Sequence, residues 1–311
     1  MILCITDNKL IVDHGFDIRI INNTMSLMDS NGHILLNHPV EKNSFNETII
    51  ANLAYNNNTV RKRVVIHPGI FINTLPKSGS MYIWNVLQKG LILPARRLSL
   101  HRFKYDGIVT EWAQEFNEKK NRVVQEHLPA TRVNLLQLKQ YNVVKLIVHV
   151  RDPRQSIISM IHHIDKTPKP DAEIGLLDMD IPINNPYDYY ISLSMKEKID
   201  LLLLYYLQQQ IDWIKDWLIV SKKPESGFEI LFTSFIDMKE NPAHFFESIL
   251  KFYNINFQLW FPPNNYQPQK DKLHYRKGAS NEWRDIFSPE QTNIAREMIP
   301  LELFDTFNWD Y

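Results

Sequence analysis

The feature that most constrains this chain is the apolar run at residues 143–150, Val-Val-Lys-Leu-Ile-Val-His-Val, which passes directly into Arg151-Asp152-Pro153-Arg154. A short run so rich in β-branched residues fits a strand buried on both faces, as in a parallel sheet. Residues 154–163 then take up helical spacing. The same succession occurs earlier. Residues 64–66 and 69–74 are β-branched and apolar, a Pro-Lys-Ser-Gly-Ser turn follows, and 81–91 reads as a helix. Further strands are expected at 123–125 and 228–232, and helices at 194–220 and 242–253. Ser288-Pro289-Glu290-Gln291 is a capping box with proline at the first helical position. Strand and helix alternate, which predicts an α/β fold: a single domain with a central parallel β-sheet flanked by helices on both faces.

The flanks of this pattern differ. Residues 1–60 read as a β-rich N-terminal segment packed on a main domain of residues 61–311. Residues 2–6 and 10–13 flank Asp7-Asn8-Lys9 as a hairpin, and the Asn-rich stretch 43–58 reads as a loop. Residues 165–190 hold Pro168, Pro170, Pro182 and Pro186 and end in Tyr187, Tyr189 and Tyr190. This stretch reads as a long irregular loop, either a lid or a plain surface insertion.

Charge narrows the partners. The 35 basic residues balance the 35 acidic ones in 311 residues. A broadly basic nucleic-acid binder is thereby disfavoured, and any anion site must be built locally. The single Cys4 can form no internal disulfide and no cysteine-based zinc site, which fits a reducing compartment. No targeting segment is visible, and no stretch approaches the ~18 consecutive apolar residues of a membrane span. The expectation is a cytoplasmic chain.

Three polar motifs sit where strands give way to turns. The first is Thr74-Leu75-Pro76-Lys77-Ser78-Gly79-Ser80. Backbone N–H groups at such a helix start converge on an anion, and Lys77 adds a mobile cation. It is not the G-x-x-x-x-G-K-[ST] loop, because its lysine precedes its glycine. The second is the strand end at Arg151, with Ser159 eight residues on. An arginine there wants either a bidentate phosphate or a buried carboxylate. The third is Tyr275-Arg276-Lys277-Gly278-Ala279-Ser280-Asn281-Glu282-Trp283-Arg284, two cations before a glycine that allows close backbone approach.

Taken in this order, the three motifs resemble the sulfotransferases that use 3′-phosphoadenosine 5′-phosphosulfate (PAPS), the cytosolic type above all. The first is similar to that family's P-loop-like phosphosulfate-binding loop, T-x-P-K-S-G-T. The second keeps the family's arginine-to-serine spacing, and the third resembles R-K-G-x-x-G-D-W-K. Phe235-Ile236-Asp237-Met238-Lys239-Glu240-Asn241-Pro242 resembles Y-E-D-M-K-E-N-P. Glu126-His127-Leu128-Pro129 shares its last three residues with the family's T-H-L-P element, which carries the base. The islands of resemblance lie between residues 69 and 287. Ser80 stands where threonine is usual, Met81 where a hydroxyl residue is common, and Asn281, Glu282 and Arg284 where Gly, Asp and Lys are common.

The resemblance implies sulfuryl transfer from PAPS to a hydroxyl of a small-molecule or carrier-bound acceptor, leaving 3′,5′-adenosine bisphosphate. It implies His127 as base and Lys77 at the leaving phosphate. It assigns Lys77, Ser78, Gly79, Ser80 and Met81 to the 5′-phosphosulfate and Arg151, Ser159, Arg276, Lys277 and Gly278 to the 3′-phosphate. Tyr82 takes the place of an adenine-stacking tryptophan. No metal is expected. His162 and His163 read as structural. The residues leave two alternatives open: a P-loop-like phosphotransferase, and a nucleotide-binding scaffold without catalysis. The acceptor and the oligomeric state are not set by the sequence. Residues 92–115 and 165–190 are expected to build the acceptor pocket.

Overall fold

A computed structural model describes the side chains of residues 67–99, 107–172, 175–177, 179–182, 184–257, 260, 262 and 278–311, and the backbone of the strands between residues 3 and 65. In the N-terminal part these strands are β1 (Leu3–Thr6), β2 (Lys9–Val12), β3 (Phe16–Ile21), β4 (Thr24–Met28), β5 (Ile34–Pro39), β6 (Thr48–Tyr55) and β7 (Asn58–Val65). They form one seven-stranded sheet in the order β5-β4-β3-β2-β1-β7-β6. The expected hairpin is present, with Thr6 opposite Lys9. The Asn-rich stretch is not a loop. It contains all of β6, which pairs antiparallel with β7 from Thr48↔Val65 to Tyr55↔Asn58.

The second sheet begins at β8 (Ile70–Thr74), followed by α1 (Ser80–Leu91), β9 (Ala95–Arg96), α2 (Thr110–Lys119), β10 (Val123–Glu126), α3 (Arg132–Gln140), β11 (Lys145–Val150) and α4 (Pro153–Ile164). Then come α5 (Lys169–Leu177), α6 (Pro186–Ser192), α7 (Met195–Tyr205), α8 (Leu207–Ser221), β12 (Glu229–Ser234), α9 (Phe235–Glu240) and α10 (Pro242–Phe252). The C-terminal part holds α11 (Trp283–Ile286), α12 (Pro289–Met298) and α13 (Leu301–Phe307). The strand order is β12-β11-β8-β10-β9, and every pairing is parallel. This is the α/β sheet expected from the apolar runs.

Each face of the sheet has its own core. Phe71, Val124, Val148 and Val150 face a layer built from α2, α3, α4, α7, α8, α12 and α13. Ile70, Ile72, Val123 and Ile147 face α1, α9 and α10. The alternation along β8 and β11 is the strand period of two, with both faces apolar because both are covered. Chain leaving β8 therefore enters one layer, while chain leaving β10 and β11 enters the other. The connections thus switch sides at the carboxyl ends of β8 and β11, which is where α/β sheets place ligands.

Two expectations are corrected. Residues 165–190 are not one irregular loop, since they hold α5 and α6. Prolines open both helices: Pro186 stands in the first turn of α6, and the Pro168 carbonyl accepts from Asp171 and Ala172 at the start of α5. The helix expected over 194–220 is two, α7 and α8, meeting at the buried Tyr206. The capping box at Ser288 and Gln291 is formed as expected.

Candidate active site

The first motif makes a tight turn between β8 and α1. Lys77 has φ 64° and Gly79 φ 94°, so two of its residues are left-handed. Glycine is needed at the second because a side chain there is strained and its Cβ would lie 2.8 Å from Met238. The Ser78 hydroxyl donates to the Leu75 carbonyl at 2.6 Å, and the Ser78 N–H reaches the same oxygen at 3.3 Å. Both donors of this buried serine thus brace the turn from within. The outward donors are the N–H groups of Gly79, Ser80 and Met81, at the opening of α1 where a helix leaves its first amides without helical acceptors.

Lys77 rides on this turn, half-buried. Burial, and the positive charge of Arg151 beside it, lower its pKa from 10.5 to about 8. No carboxylate among the described residues forms an ion pair with it. A cation held against its own electrostatic interest, next to a second cation and a helix N-terminus, makes a field that favours an anion.

Arg151 leaves the end of β11 and ties the motifs together. Its Nη1 donates to the Lys77 carbonyl at 2.7 Å and its Nη2 to the Ala279 carbonyl at 2.5 Å. Its guanidinium lies 4.0 Å over the ring of Phe235. Residues 74, 84 and 128 positions away in sequence therefore meet at one side chain. Lys239 adds a bond to Ser280 at 3.1 Å, so the fourth motif also joins. Gly278 has φ 61°, in the left-handed region that favours glycine. Arg276 and Lys277 lie outside the described residues. Ser159 is half-buried on α4. Tyr82 is half-buried on α1, with its ring 6.0 Å from that of Phe246. His162 and His163 are in the last turn of α4.

The buried carboxylate weighed for Arg151 goes to another arginine. Arg154, fully buried, is held by Asp152 through Nε and Nη2 at 2.7–3.1 Å. It stacks 3.9 Å from Trp283, and its Nη2 donates to the Asp310 carbonyl. The Asp310 carboxylate takes Arg284 at 2.8 Å and Asn281 at 3.2 Å. The two departures from the family pattern at 281 and 284 are thus used to fasten the third loop to the C-terminal segment.

His127 lies beyond the end of β10, on the other side of β8. Its Nδ1 sits 2.6 Å from the Thr74 carbonyl oxygen. A carbonyl only accepts, so Nδ1 carries the hydrogen and Nε2 keeps the lone pair. Gln125 approaches Nε2 at 3.3 Å while also bonding Thr74 Oγ1 and the Glu126 carbonyl. The turn after His127 is fixed by residues that the sequence did not single out. Asn73 exchanges two hydrogen bonds with the Leu128 backbone at 2.8 and 2.9 Å, and Trp217 Nε1 donates to the Leu128 carbonyl at 2.9 Å. Glu126, fully buried, takes the Leu98 and Ser99 N–H groups and the Ser99 hydroxyl at 2.5–3.1 Å. Burial pushes its carboxyl pKa up. Nothing in the periodicity announces these contacts, because their partners lie 27 to 89 residues away.

Thr74 and Lys77 belong to one turn, so the basic imidazole nitrogen and the cation are carried on the same piece of backbone. Among the described residues no group of three or more His, Cys, Asp or Glu could hold a metal ion, and no helix is long and apolar enough to cross a membrane.

The parallel α/β sheet thus carries a lysine-bearing turn, an arginine strand end and a tautomer-locked histidine at the carboxyl ends of its strands. The family model for the sulfotransferase domain matches residues 67–307, and the chain belongs to that family. Among solved structures, mouse sulfotransferase SULT7A1, complexed with PAP, is similar at 17% identity. That match covers 74% of this chain and 82% of the mouse chain, with a TM-score of 0.50. A sulfotransferase from Alicyclobacillus acidocaldarius matches at 12% identity over 78% of this chain and 97% of its own, TM-score 0.42. The sulfotransferase domain of the curacin biosynthetic pathway matches at 15% over 75% and 99%, TM-score 0.39. Among the curated proteins, none matches.

Proposed function

We propose that this chain transfers the sulfuryl group of PAPS to an acceptor hydroxyl, with His127 as base and Lys77 at the leaving group. The observation that carries the reading is Arg151 joining the Lys77 turn to the Ala279 loop at 2.7 and 2.5 Å. That junction sets the Lys77 turn, the Arg151 strand end and the Ala279 loop side by side. PAPS supplies the activated sulfuryl group. The N–H groups of Gly79, Ser80 and Met81 hold its 5′-phosphosulfate, and Lys77 offsets charge on the bridging oxygen as the S–O bond breaks. His127 Nε2 takes the proton of the attacking hydroxyl while the Thr74 carbonyl supports the imidazolium that forms. Arg151, Ser159, Gly278, Arg276 and Lys277 hold the 3′-phosphate, and Tyr82 stacks on adenine. Ser78 acts through the turn it braces.

The acceptor is a hydroxyl-bearing small molecule or carrier-bound chain. Residues 61–65, which end β7, belong by sheet pairing with the N-terminal strands. We therefore place the main domain at 67–311, six residues later than the sequence boundary and where the family match begins.

Calorimetric titration tests the donor site. Wild-type protein binds 3′,5′-adenosine bisphosphate more tightly than 5′-AMP, and Arg151→Ala abolishes the preference. Equal or absent binding of the two nucleotides by the wild type overturns the reading.

A further inference from the structure

We infer that His149 is a positioning residue for the phosphosulfate loop: by holding the Ser78 carbonyl it aims the Gly79 N–H at the 5′-phosphosulfate. The inference rests on the sulfotransferase reading and adds to it a residue outside the family motifs.

His149 is fully buried in β11, two residues before Arg151. By strand alternation it shares a face with Ile147, the face covered by α1 and α10, and so lies beneath the loop. Its Nε2 is 3.0 Å from the Ser78 carbonyl oxygen and its Nδ1 2.9 Å from Thr233 Oγ1. The carbonyl can only accept, so Nε2 carries the hydrogen, and the Thr233 hydroxyl donates to Nδ1. Phe245 packs edge-on against the ring at 5.5 Å. Both imidazole nitrogens are satisfied, and the ring has one orientation. Its pKa, lowered from 6.5 to about 3 by burial, keeps it neutral at working pH, so this tautomer persists.

The consequence follows from peptide geometry. The Ser78–Gly79 peptide is planar and trans, so its carbonyl and its N–H point in opposite directions. Anchoring the carbonyl toward β11 turns the Gly79 N–H away from the sheet, to the side where α1 opens. Arg151 fixes the preceding carbonyl, that of Lys77, at 2.7 Å. Two side chains of one strand thus pin two successive peptides of the loop. An apolar residue would fill position 149 with less desolvation but would leave the Ser78 carbonyl without its donor.

The test uses the full chain and two nucleotides, 3′,5′-adenosine bisphosphate and 3′-AMP, which differ only in the 5′-phosphate. A lost charge-assisted bond predicts that His149→Leu weakens bisphosphate binding by ~10-fold or more. Binding of 3′-AMP is unchanged, so the ratio of the two affinities collapses. His149→Gln, whose amide can donate from near the Nε2 position, restores most of the ratio. Thr233→Val, which releases the tautomer, lowers the ratio by a smaller factor. A wild-type ratio in His149→Leu overturns the inference, and so does an equal loss for both nucleotides, which would mark a packing role. If His149→Leu does not fold, a wild-type ratio in Thr233→Val overturns it. A wild type that binds neither nucleotide overturns the sulfotransferase reading itself.

Discussion

His127 Nδ1 donates to the Thr74 carbonyl at 2.6 Å, which leaves the lone pair on the opposite nitrogen. The acceptor is a backbone atom of the turn that carries Lys77, so no side-chain substitution removes it. The expected result for His127→Ala is a fall in kcat of about 10²–10⁴-fold, the usual worth of a positioned base. Its proposed role, on the acceptor hydroxyl, predicts unchanged affinity for 3′,5′-adenosine bisphosphate. Steady-state kinetics beside calorimetry checks both halves.

Lys77 has a pKa of about 8, against 10.5 in an unfolded chain. The free enzyme therefore loses this cation as pH rises through about 8, and kcat/KM should fall along that limb. Lys77→Met removes the limb together with most of the turnover. The same shift bears on stability. Below about pH 8 the folded protein holds a charge that it would rather shed, so folding carries a cost that the methionine variant lacks. The variant should melt a few degrees higher at pH 7 by calorimetry while being catalytically impaired. An unchanged or lower Tm would contradict the account of Lys77.

The central sheet was legible because its strands are apolar on both faces and its turns are punctuated. Residues 143–150 became β11 and the Pro-Lys-Ser-Gly-Ser turn became the bend before α1. The motif residues announced themselves by type and spacing. What holds them did not. Asn73, Glu126, His149, Trp217 and Asp310 act through partners brought close by the fold, and single residues carry no periodic signal. Composition misled at β6, where asparagine content outweighed the alternation of Thr48–Tyr55. It misled again at 165–190, where proline signals helix starts as readily as helix ends.

Gly79 joins a backbone requirement to a packing one. Its φ of 94° suits glycine, and an added Cβ meets Met238 at 2.8 Å and Phe235 at 3.4 Å. A left-handed L-residue costs roughly 1–2 kcal/mol. The Met238 contact is the end of a flexible side chain and can shift, so backbone strain dominates. Gly79→Ala should lower stability by about that amount in urea titration. It should also weaken bisphosphate binding, because relief of the strain rotates the N–H that we propose holds the phosphate. A variant with wild-type affinity would show that the turn tolerates the rotation.

Two buried histidines set the acid limit of the fold. Burial lowers the pKa of His67 to about 4 and of His149 to about 3, from 6.5. Unfolding at pH 5 lets each take up a proton that the native state refuses. The unfolded state binds more protons, so stability rises with pH between about 4 and 6.5 and falls as the solution is acidified through that window. Each histidine contributes a slope of about 1.4 kcal/mol per pH unit where its unfolded form is charged and its folded form is not. Urea midpoints measured from pH 4.5 to 6.5 should be shallower in His149→Gln than in wild type by about that slope. Identical slopes would mean that His149 is protonated in the native state, and the Nε2–H tautomer that holds Ser78 would no longer be fixed.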